Sequence, residues 1–103
     1  MSILLEFSVV PIGKESSISP QIAKALKIVA DSGVPYKANP MGTVLEGEWD
    51  EVMGVVKKCH REIMKESDRV LTTITVDDRK GKEDRLEKKL ESVEQKLGRK
   101  LNR

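Results

Sequence analysis

The chain opens with a stretch, Ile3 to Ile12, in which the odd and even positions differ in character. The odd positions are all apolar: Ile3, Leu5, Phe7 and Val9. The even positions combine two hydrophobes with a charge and a hydroxyl: Leu4, Glu6, Ser8 and Val10. Because successive side chains of a strand point to opposite faces, this pattern predicts a strand with one face in the core. A dry core would leave Glu6 without a partner, so the mixed face is predicted to line an interface or a ligand.

Two stretches have helical spacing of apolar residues. The first runs from Ser19, predicted as the N-cap, through Pro20 at the first helical position to Gly33, predicted as a left-handed C-terminal glycine. Its stripe consists of Ile22, Leu26, Val29 and Ala30. The second runs from about Glu48 to Glu66, with a stripe of Trp49, Val52, Met53, Val56, Cys59 or His60, Ile63 and Met64. Both helices are predicted to cover the apolar face of the sheet.

Three further strands are predicted, over 34–39, 42–46 and 69–78. The resulting order, β-α-β-β-α-β, is the ferredoxin-like split βαβ arrangement, an α+β fold with a four-stranded antiparallel sheet. Its strand order would be 4-1-3-2. The sheet would leave a mixed face open, carrying Leu4, Glu6, Ser8, Val10, Leu71, Thr73 and Thr75.

A last helix is predicted from Glu83 to about Leu101, after a charged turn at 77–82. Its apolar residues form a narrow 4-3-4-4 seam: Leu86, Leu90, Val93, Leu97 and Leu101. A thin stripe on a charged helix suits docking on a sheet or on a sister subunit. The 103 residues are therefore interpreted as one domain, with a βαββαβ core over 1–78 and an additional turn and helix over 79–103.

Composition narrows the class of protein. Charged residues make up 35% of the chain and aromatic residues 3%. No run approaches the roughly 18 apolar residues of a membrane span, and the apolar start lacks the features of a signal peptide. A single cysteine makes no internal disulfide, so a cytoplasmic location is expected.

The charge of the C-terminal segment is positive. Residues 79–103 hold ten Lys/Arg against five Asp/Glu, but basic and acidic residues are interleaved, which favours a solvated helix face over a nucleic-acid site.

The stretch from Asn39 to Trp49 is the richest in residues with special backbone conformations, proline and glycine. It contains Pro40, the glycines Gly42 and Gly47, and the only tryptophan of the chain. Such residues form tight turns and let ligands approach the backbone closely. A hairpin followed by a helix start explains the same residues without any ligand, and both interpretations stay open here.

Chemical motifs elsewhere are weak. Cys59 and His60 are adjacent, so on a helix they point about 100° apart, and no second Cys or His is present to complete a metal site. Cys59 is predicted to lie in the core with His60 at its margin. Asp77 and Asp78 are interpreted as part of a turn. No nucleophile–base couple or phosphate loop is recognised, so no catalytic residue, metal or cofactor is predicted.

Three segments stand out together: residues 6–13 (EFSVVPIG), 17–20 (SISP) and 40–47 (PMGTVLEG), followed by Asp77, Asp78 and Arg79. They resemble the small thiamine-binding protein family related to YkoF. The resemblance covers nearly the whole chain, in the order and spacing of the family. It implies a ferredoxin-like fold, dimers joined through their sheets and often assembled into tetramers, and binding of thiamine or its hydroxymethylpyrimidine part without known catalysis.

An aminopyrimidine offers an amino donor and ring-nitrogen acceptors, so a carboxylate next to a hydroxyl or backbone N–H would recognise it. Within the matched segments, Glu6 or Glu46 would accept from the amino group, and Ser8 or Thr43 would bind a ring nitrogen. Which glutamate does so depends on the register of the third strand, because Thr43 and Glu46 point to opposite faces of a regular strand. The full set of expected ligand contacts is Glu6, Ser8, Asn39, Met41, Gly42, Thr43, Glu46 and Trp49.

Three other functions are compatible with this fold. A small enzyme acting on a thiamine precursor would use Glu6 and Glu46 as an acid–base pair. An RNA-binding domain would need aromatic residues on the open face, where none is predicted. A purely structural or regulatory oligomer would bind another small ligand or none.

Overall fold

The computed structural model describes residues 2–13, 18–81 and 84–103. Seven elements follow one another along the chain: β1 (Ile3–Pro11), α1 (Ser19–Asp31), β2 (Tyr36–Asn39), β3 (Gly42–Gly47), α2 (Trp49–Met64), β4 (Val70–Asp77) and α3 (Arg85–Leu97). This is the predicted order. The predicted loop residues 14–17 and the predicted start of the last helix at Glu83 lie outside the described residues.

The four strands form one antiparallel sheet in the order β2-β3-β1-β4. β1 is central, pairing with β3 through Phe7–Thr43 and with β4 through Phe7–Ile74. The α+β, ferredoxin-like prediction is confirmed, including the strand order. The register also places Thr43 and Glu46 on opposite faces, as expected for a regular strand.

The core lies between the apolar face of β1 and the helices α1 and α2. The predicted apolar residues of β1, Ile3, Leu5, Phe7 and Val9, are all buried. Leu5 and Leu45 meet Val29 of α1 and Val52 of α2, and all four are fully buried. Burial of each such aliphatic side chain contributes about 1.5–3 kcal/mol, so this layer supplies most of the stability of the fold.

The start of α1 differs from its prediction. Ser19 is the first residue of α1 and not its N-cap; Ile18 holds that position, without a side-chain cap, and its carbonyl accepts from the N–H of Ile22 at 3.0 Å. Pro20 fits this first turn because its missing N–H needs no partner there. The predicted C-terminal glycine of α1, Gly33, is left-handed at φ 80°.

The buried stripe of α2 also departs from its prediction at both ends. Trp49, predicted in the stripe, is 49% exposed, and Met64 is 41% exposed. Val55, absent from the predicted stripe, is buried. The end residues lie in the first and last turns of the helix, where the sheet no longer covers them, so helical periodicity alone overestimates their burial.

α3 is shorter than predicted, because it ends at Leu97 and not near Leu101. Gly98, at φ 76°, adopts the left-handed conformation that ends the helix, and its N–H bonds to the carbonyl of Glu94. None of the residues of α3 is buried.

Gly42 and Gly47 do not have a positive φ, and the structure shows a different reason for glycine at position 42. A Cβ on Gly42 would lie 3.2 Å from the carbonyl oxygen of Phe7 and 3.4 Å from Cγ of Glu6. A Cβ on Gly47 would meet Val52 Cγ1 at 3.1 Å and the flexible end of Glu51. Close approach of neighbouring strands and side chains, and not backbone conformation, is what selects glycine at position 42.

We predict that Gly42→Val lowers the free energy of unfolding by about 1–3 kcal/mol, because overpacking forces β1 and β3 apart. Urea titration measures the change. Gly54→Ala is the matched control, since Gly54 lies inside α2 with open space around it and alanine is the better helix former. A Gly42→Val protein as stable as the parent would contradict the close-approach explanation.

Candidate functional site

The open face of the sheet, opposite α1 and α2, has Glu6 near its centre. The strand register sets Lys37, Val44, Glu6 and Thr75 side by side across all four strands. The next row of the same face runs across the sheet from Asn39 of β2 and Gly42 of β3 to Ser8 of β1 and Thr73 of β4. Around Glu6 this face therefore presents hydroxyl and amide groups beside Lys37 and Val44, and the carboxylates of Glu46 and Asp77 lie on the same face, level with Leu4. Because Gly42 has no side chain, the Glu6 carboxyl keeps the space beside it.

One end of this face is covered by α3, which is held there by Glu46. The backbone N–H of Arg85 donates to Glu46 Oε2 at 2.7 Å, and the N–H of Leu86 donates to Oε1 at 3.3 Å. The first N–H groups of a helix have no partner within it, and a carboxylate also complements the positive end of the helix dipole. Glu46 is 8% exposed, and both of its oxygens are occupied.

Ion pairs hold the two sides of α3. On the β2 side, Lys37 Nζ lies 2.7 Å from Glu87. On the β4 side, the Asp77 carboxylate accepts from Lys89 at 2.9 Å and forms an ion pair with Arg85. Arg85 Nη1 also donates to the backbone carbonyl of Asp77 at 3.2 Å. The helix is therefore fixed to both outer strands of the sheet.

The C-terminal residues fold back along the same helix. Arg103 pairs with Glu94 at 2.9 Å and with Glu87 at 2.8 Å. Glu94 also accepts from the backbone N–H of Leu101 at 2.6 Å. The last residues thus close the β2 side of the region beneath α3.

These contacts lower the pKa of three carboxyl groups. Hydrogen bonds from Lys89, and to a smaller extent from Arg85, lower the pKa of Asp77. Hydrogen bonds from Lys37, and then from Arg103, lower the pKa of Glu87. A hydrogen bond from Arg103 also lowers the pKa of Glu94. A carboxyl with a lowered folded pKa stabilises the fold above its unfolded pKa, and the stabilisation is lost as the pH falls through the lower, folded value. α3 is therefore held most firmly at neutral pH.

Between α3 and the open face lies a cavity of about 570 Å³, which we call the slot. Its floor is formed by Leu4, Glu6, Val44 and Thr75, and its helical side by Arg85, Leu86, Lys89 and Leu90. Lys37, Asn39, Asp77 and Arg103 line its margins. This volume is in the range of small-ligand sites, and the lining combines apolar side chains with charged and hydrogen-bonding groups.

A second cavity of about 280 Å³ lies near the first half of α1. Five of the predicted contact residues line it: Ser8, Asn39, Met41, Gly42 and Thr43. Thr43 is 7% exposed and faces the core side of the sheet, and Met41 is 90% exposed in the turn between β2 and β3. The polar groups of this cavity are uncharged.

The predicted contact residues do not all lie around one cavity in the structure. Glu6 and Asn39 line the slot, and Asn39 is shared with the second cavity. Glu46 lies on the same face as Glu6 but is bound to α3, and Trp49 lines neither cavity. Sequence reasoning missed the groups that α3 contributes, above all Leu86 and Leu90. Their narrow seam was recognised, but nothing in it indicated that the seam faces a cavity.

Cys59 and His60 lie where they were predicted. Cys59 is buried in the core, its thiol bonds to the Ala25 carbonyl at 3.4 Å, and burial raises its pKa to about 11. His60 lies at the margin, with Nδ1 2.6 Å from Thr72 Oγ1. Over residues 2–13, 18–81 and 84–103, no three potential metal ligands come together. No helix in the same ranges is long and apolar enough to cross a membrane.

Comparison with known proteins identifies the family. Residues 5–94 match the family model described as thiamine-binding protein, and the chain belongs to this family. A UPF0045 protein of Methanocaldococcus jannaschii is 35% identical over 88% of this chain and 91% of its own length. A UPF0045 protein of Mycobacterium bovis is 38% identical over 94% of this chain and 96% of its own length. The resemblance recognised in the sequence is confirmed.

Solved structures share the fold. The crystal structure of the M. jannaschii protein superposes with a TM-score of 0.84, covering 89% of this chain and 95% of that one. A domain of unknown function from Bacillus cereus, 30% identical, gives 0.73 over 84% of this chain and 86% of its own. The α+β architecture is therefore common to proteins from archaea and bacteria.

We predict that Glu46→Gln loosens α3, because an amide N–H₂ replaces one of the two acceptors that face the helix N–H groups. The protection of α3 amides against hydrogen exchange is expected to fall by about 1–3 kcal/mol. Glu91→Gln, at an exposed position of the same helix, is the control. Equal protection of residues 85–97 in both variants would show that Glu46 does not anchor the helix.

Proposed function

We propose that this protein binds thiamine, or its hydroxymethylpyrimidine part, in the slot, and that it does so without catalysis. The observation that carries the proposal is the position of Glu6. Its carboxylate lies on the floor of the slot, exposed, with no hydrogen bond or ion pair to any other described residue. Membership of the thiamine-binding family supports the same ligand class.

The lining of the slot matches an aminopyrimidine in chemistry. Glu6 accepts from the exocyclic amino group, and the Thr75 hydroxyl and the Asn39 amide serve the ring nitrogens or a hydroxymethyl group. Leu86 and Leu90 cover the apolar face of the ring from the side of α3. Ser8 and Gly42 lie one position further along the same sheet face. Met41, Thr43 and Trp49 lie away from the slot, and their contact with a ligand stays a prediction.

The two glutamates are thereby given different roles. Glu46 already accepts two backbone hydrogen bonds, so a ligand would have to displace the start of α3 to reach it. Glu6 requires no such displacement. We therefore assign recognition of the amino group to Glu6 and the support of the binding site to Glu46.

Non-catalytic binding is favoured over an enzyme because the proposed acid–base pair is divided in this way. Both oxygens of Glu46 already accept from N–H groups of α3, so neither is free to take up or pass on a proton, which suits a structural role better than proton transfer. Turnover of thiamine or of a phosphorylated precursor by the purified protein would support the enzyme instead. We place the protein in the cytoplasm, where its single, buried cysteine stays reduced.

We predict that Glu6→Gln weakens thiamine binding by about 1.5–3 kcal/mol, the scale of a hydrogen bond to a charged group, because the amide presents a donor to the amino group of the ligand. Isothermal titration calorimetry measures the affinity, and thermal melting checks the fold. The comparison variant is Thr73→Val, which removes a hydroxyl from the same face outside the slot. Parent-like affinity in Glu6→Gln would refute recognition by this carboxylate.

We further propose that the protein is a homodimer, assembled into a dimer of dimers. The part of the open face that α3 leaves uncovered carries Leu71, 56% exposed, beside Val10. Further apolar surface follows on α3, where Val93 is 43% and Leu97 54% exposed. Apolar surface of this kind on a small domain is typical of an interface, and a second copy of the chain is the simplest partner.

Light scattering is predicted to give a mass of at least twice the 11.6 kDa of one chain at micromolar concentration. Leu71→Lys should shift the protein toward smaller species, whereas Thr73→Lys, on the same strand and face, should do so less because it removes no apolar surface. A parent protein that is monomeric under these conditions would rule out the assembly.

A further inference from the structure

Residues 98–103, which we call the end segment, close the slot on its β2 side. α3 ends at Leu97, and Gly98 turns the chain in a left-handed conformation at φ 76°. The segment then brings Arg103 into the lining of the slot. This part of the lining belongs neither to the sheet nor to a helix, so the contacts that hold it decide how readily the slot opens there.

Two carboxylates of α3 hold the end segment. The Arg103 guanidinium bridges them, with Nη2 2.9 Å from Glu94 and Nη1 2.8 Å from Glu87. Glu94 Oε2 also accepts from the backbone N–H of Leu101 at 2.6 Å, and the side chain of Glu94 is only 11% exposed. Glu87 in turn pairs with Lys37 of β2 at 2.7 Å. A row of charges of alternating sign therefore connects the sheet, α3 and the end segment.

The other parts of the slot lining are held more firmly. The floor belongs to paired strands, and the start of α3 is fixed by two backbone hydrogen bonds to the buried carboxylate of Glu46. None of residues 98–103 is buried, and the bridging side chain of Arg103 pairs with a half-exposed carboxylate on Glu87. Regions with few buried contacts open most easily from the native state. The opening of the slot that costs least free energy is therefore on the β2 side.

We infer that the end segment is a gate, which moves away from α3 to admit a ligand to the slot and closes again over the empty and the filled slot alike. This inference rests on the proposed function, and it adds a route of entry and release to that binding site. Arg103 holds the gate closed by bridging Glu87 and Glu94. Because opening is needed both for entry and for release, the gate limits both rates and leaves the affinity unchanged.

Arg103→Gln tests the gate, because glutamine lacks the charge and the planar fork that bridge two carboxylates. Surface plasmon resonance with immobilised protein and thiamine measures both rate constants. Association and dissociation are each expected to become about fivefold faster, since the open state is more populated, while the dissociation constant stays within about twofold of the parent. Arg99→Gln is the matched control, because it removes the same charge from the same segment. The Arg99 side chain forms no hydrogen bond or ion pair with the described residues.

Hydrogen exchange reports on the gate without any ligand. The Leu101 amide, which donates to Glu94, should exchange faster in Arg103→Gln than in the parent or in Arg99→Gln. Glu94→Gln should change the rate constants in the same direction, and the two effects should not multiply in the double variant, because both substitutions break the same contact. Equal exchange of Leu101 in the parent and in Arg103→Gln would show that Arg103 does not hold the segment.

The binding measurements separate a gate from a fixed wall. If Arg103→Gln raises only the dissociation rate constant, so that thiamine binds more weakly, Arg103 contacts the ligand, and the gate is refuted while the proposed function stands. If neither rate constant changes, or if Arg99→Gln changes them as much, the end segment does not control entry, which also refutes the gate. If the parent binds no thiamine, the proposed function fails and the gate fails with it.

Discussion

The site depends on one buried contact, the carboxylate of Glu46 against the first two N–H groups of α3. β3 carries Glu46 on the open face because the strand register pairs it with Leu4 of β1. From that position it fixes where α3 begins, and the start of the helix decides which side chains face the sheet. Leu86 and Leu90 then line the slot together with Glu6. Without this contact the open face would be an ordinary exposed sheet surface, and no slot would exist.

The other contacts of α3 are weaker. The ion pairs of Glu87 with Lys37 of β2 and of Lys89 with Asp77 of β4 involve exposed side chains, and solvent screens such pairs strongly. The helix has no buried residue, so it lacks the apolar packing that holds α1 and α2. The slot is the space where that packing would be. A flat ring between the sheet and α3 would fill it, so ligand binding and docking of the helix are expected to stabilise each other.

Much of this architecture could be predicted from the sequence. Alternation in β1 and the helical stripes predicted the order of the elements, and that order, as the split βαβ arrangement, predicted the fold class and the strand order. The site was less predictable. Periodicity could not show that Trp49 lies in an exposed first turn, or that Glu46 caps a helix 39 residues later. Both facts depend on contacts between elements distant in sequence. The different surroundings of Glu6 and Glu46 could therefore be recognised only with the tertiary structure.

Binding of thiamine in the slot is tested most directly by methyl NMR of the protein titrated with thiamine. Binding there is expected to shift the methyl resonances of Val44, Leu86 and Leu90, which line the slot. Ile22 and Leu26, which line the second cavity, should stay close to their free positions. Shifts confined to Ile22 and Leu26, with the methyl groups of α3 unchanged, would contradict it.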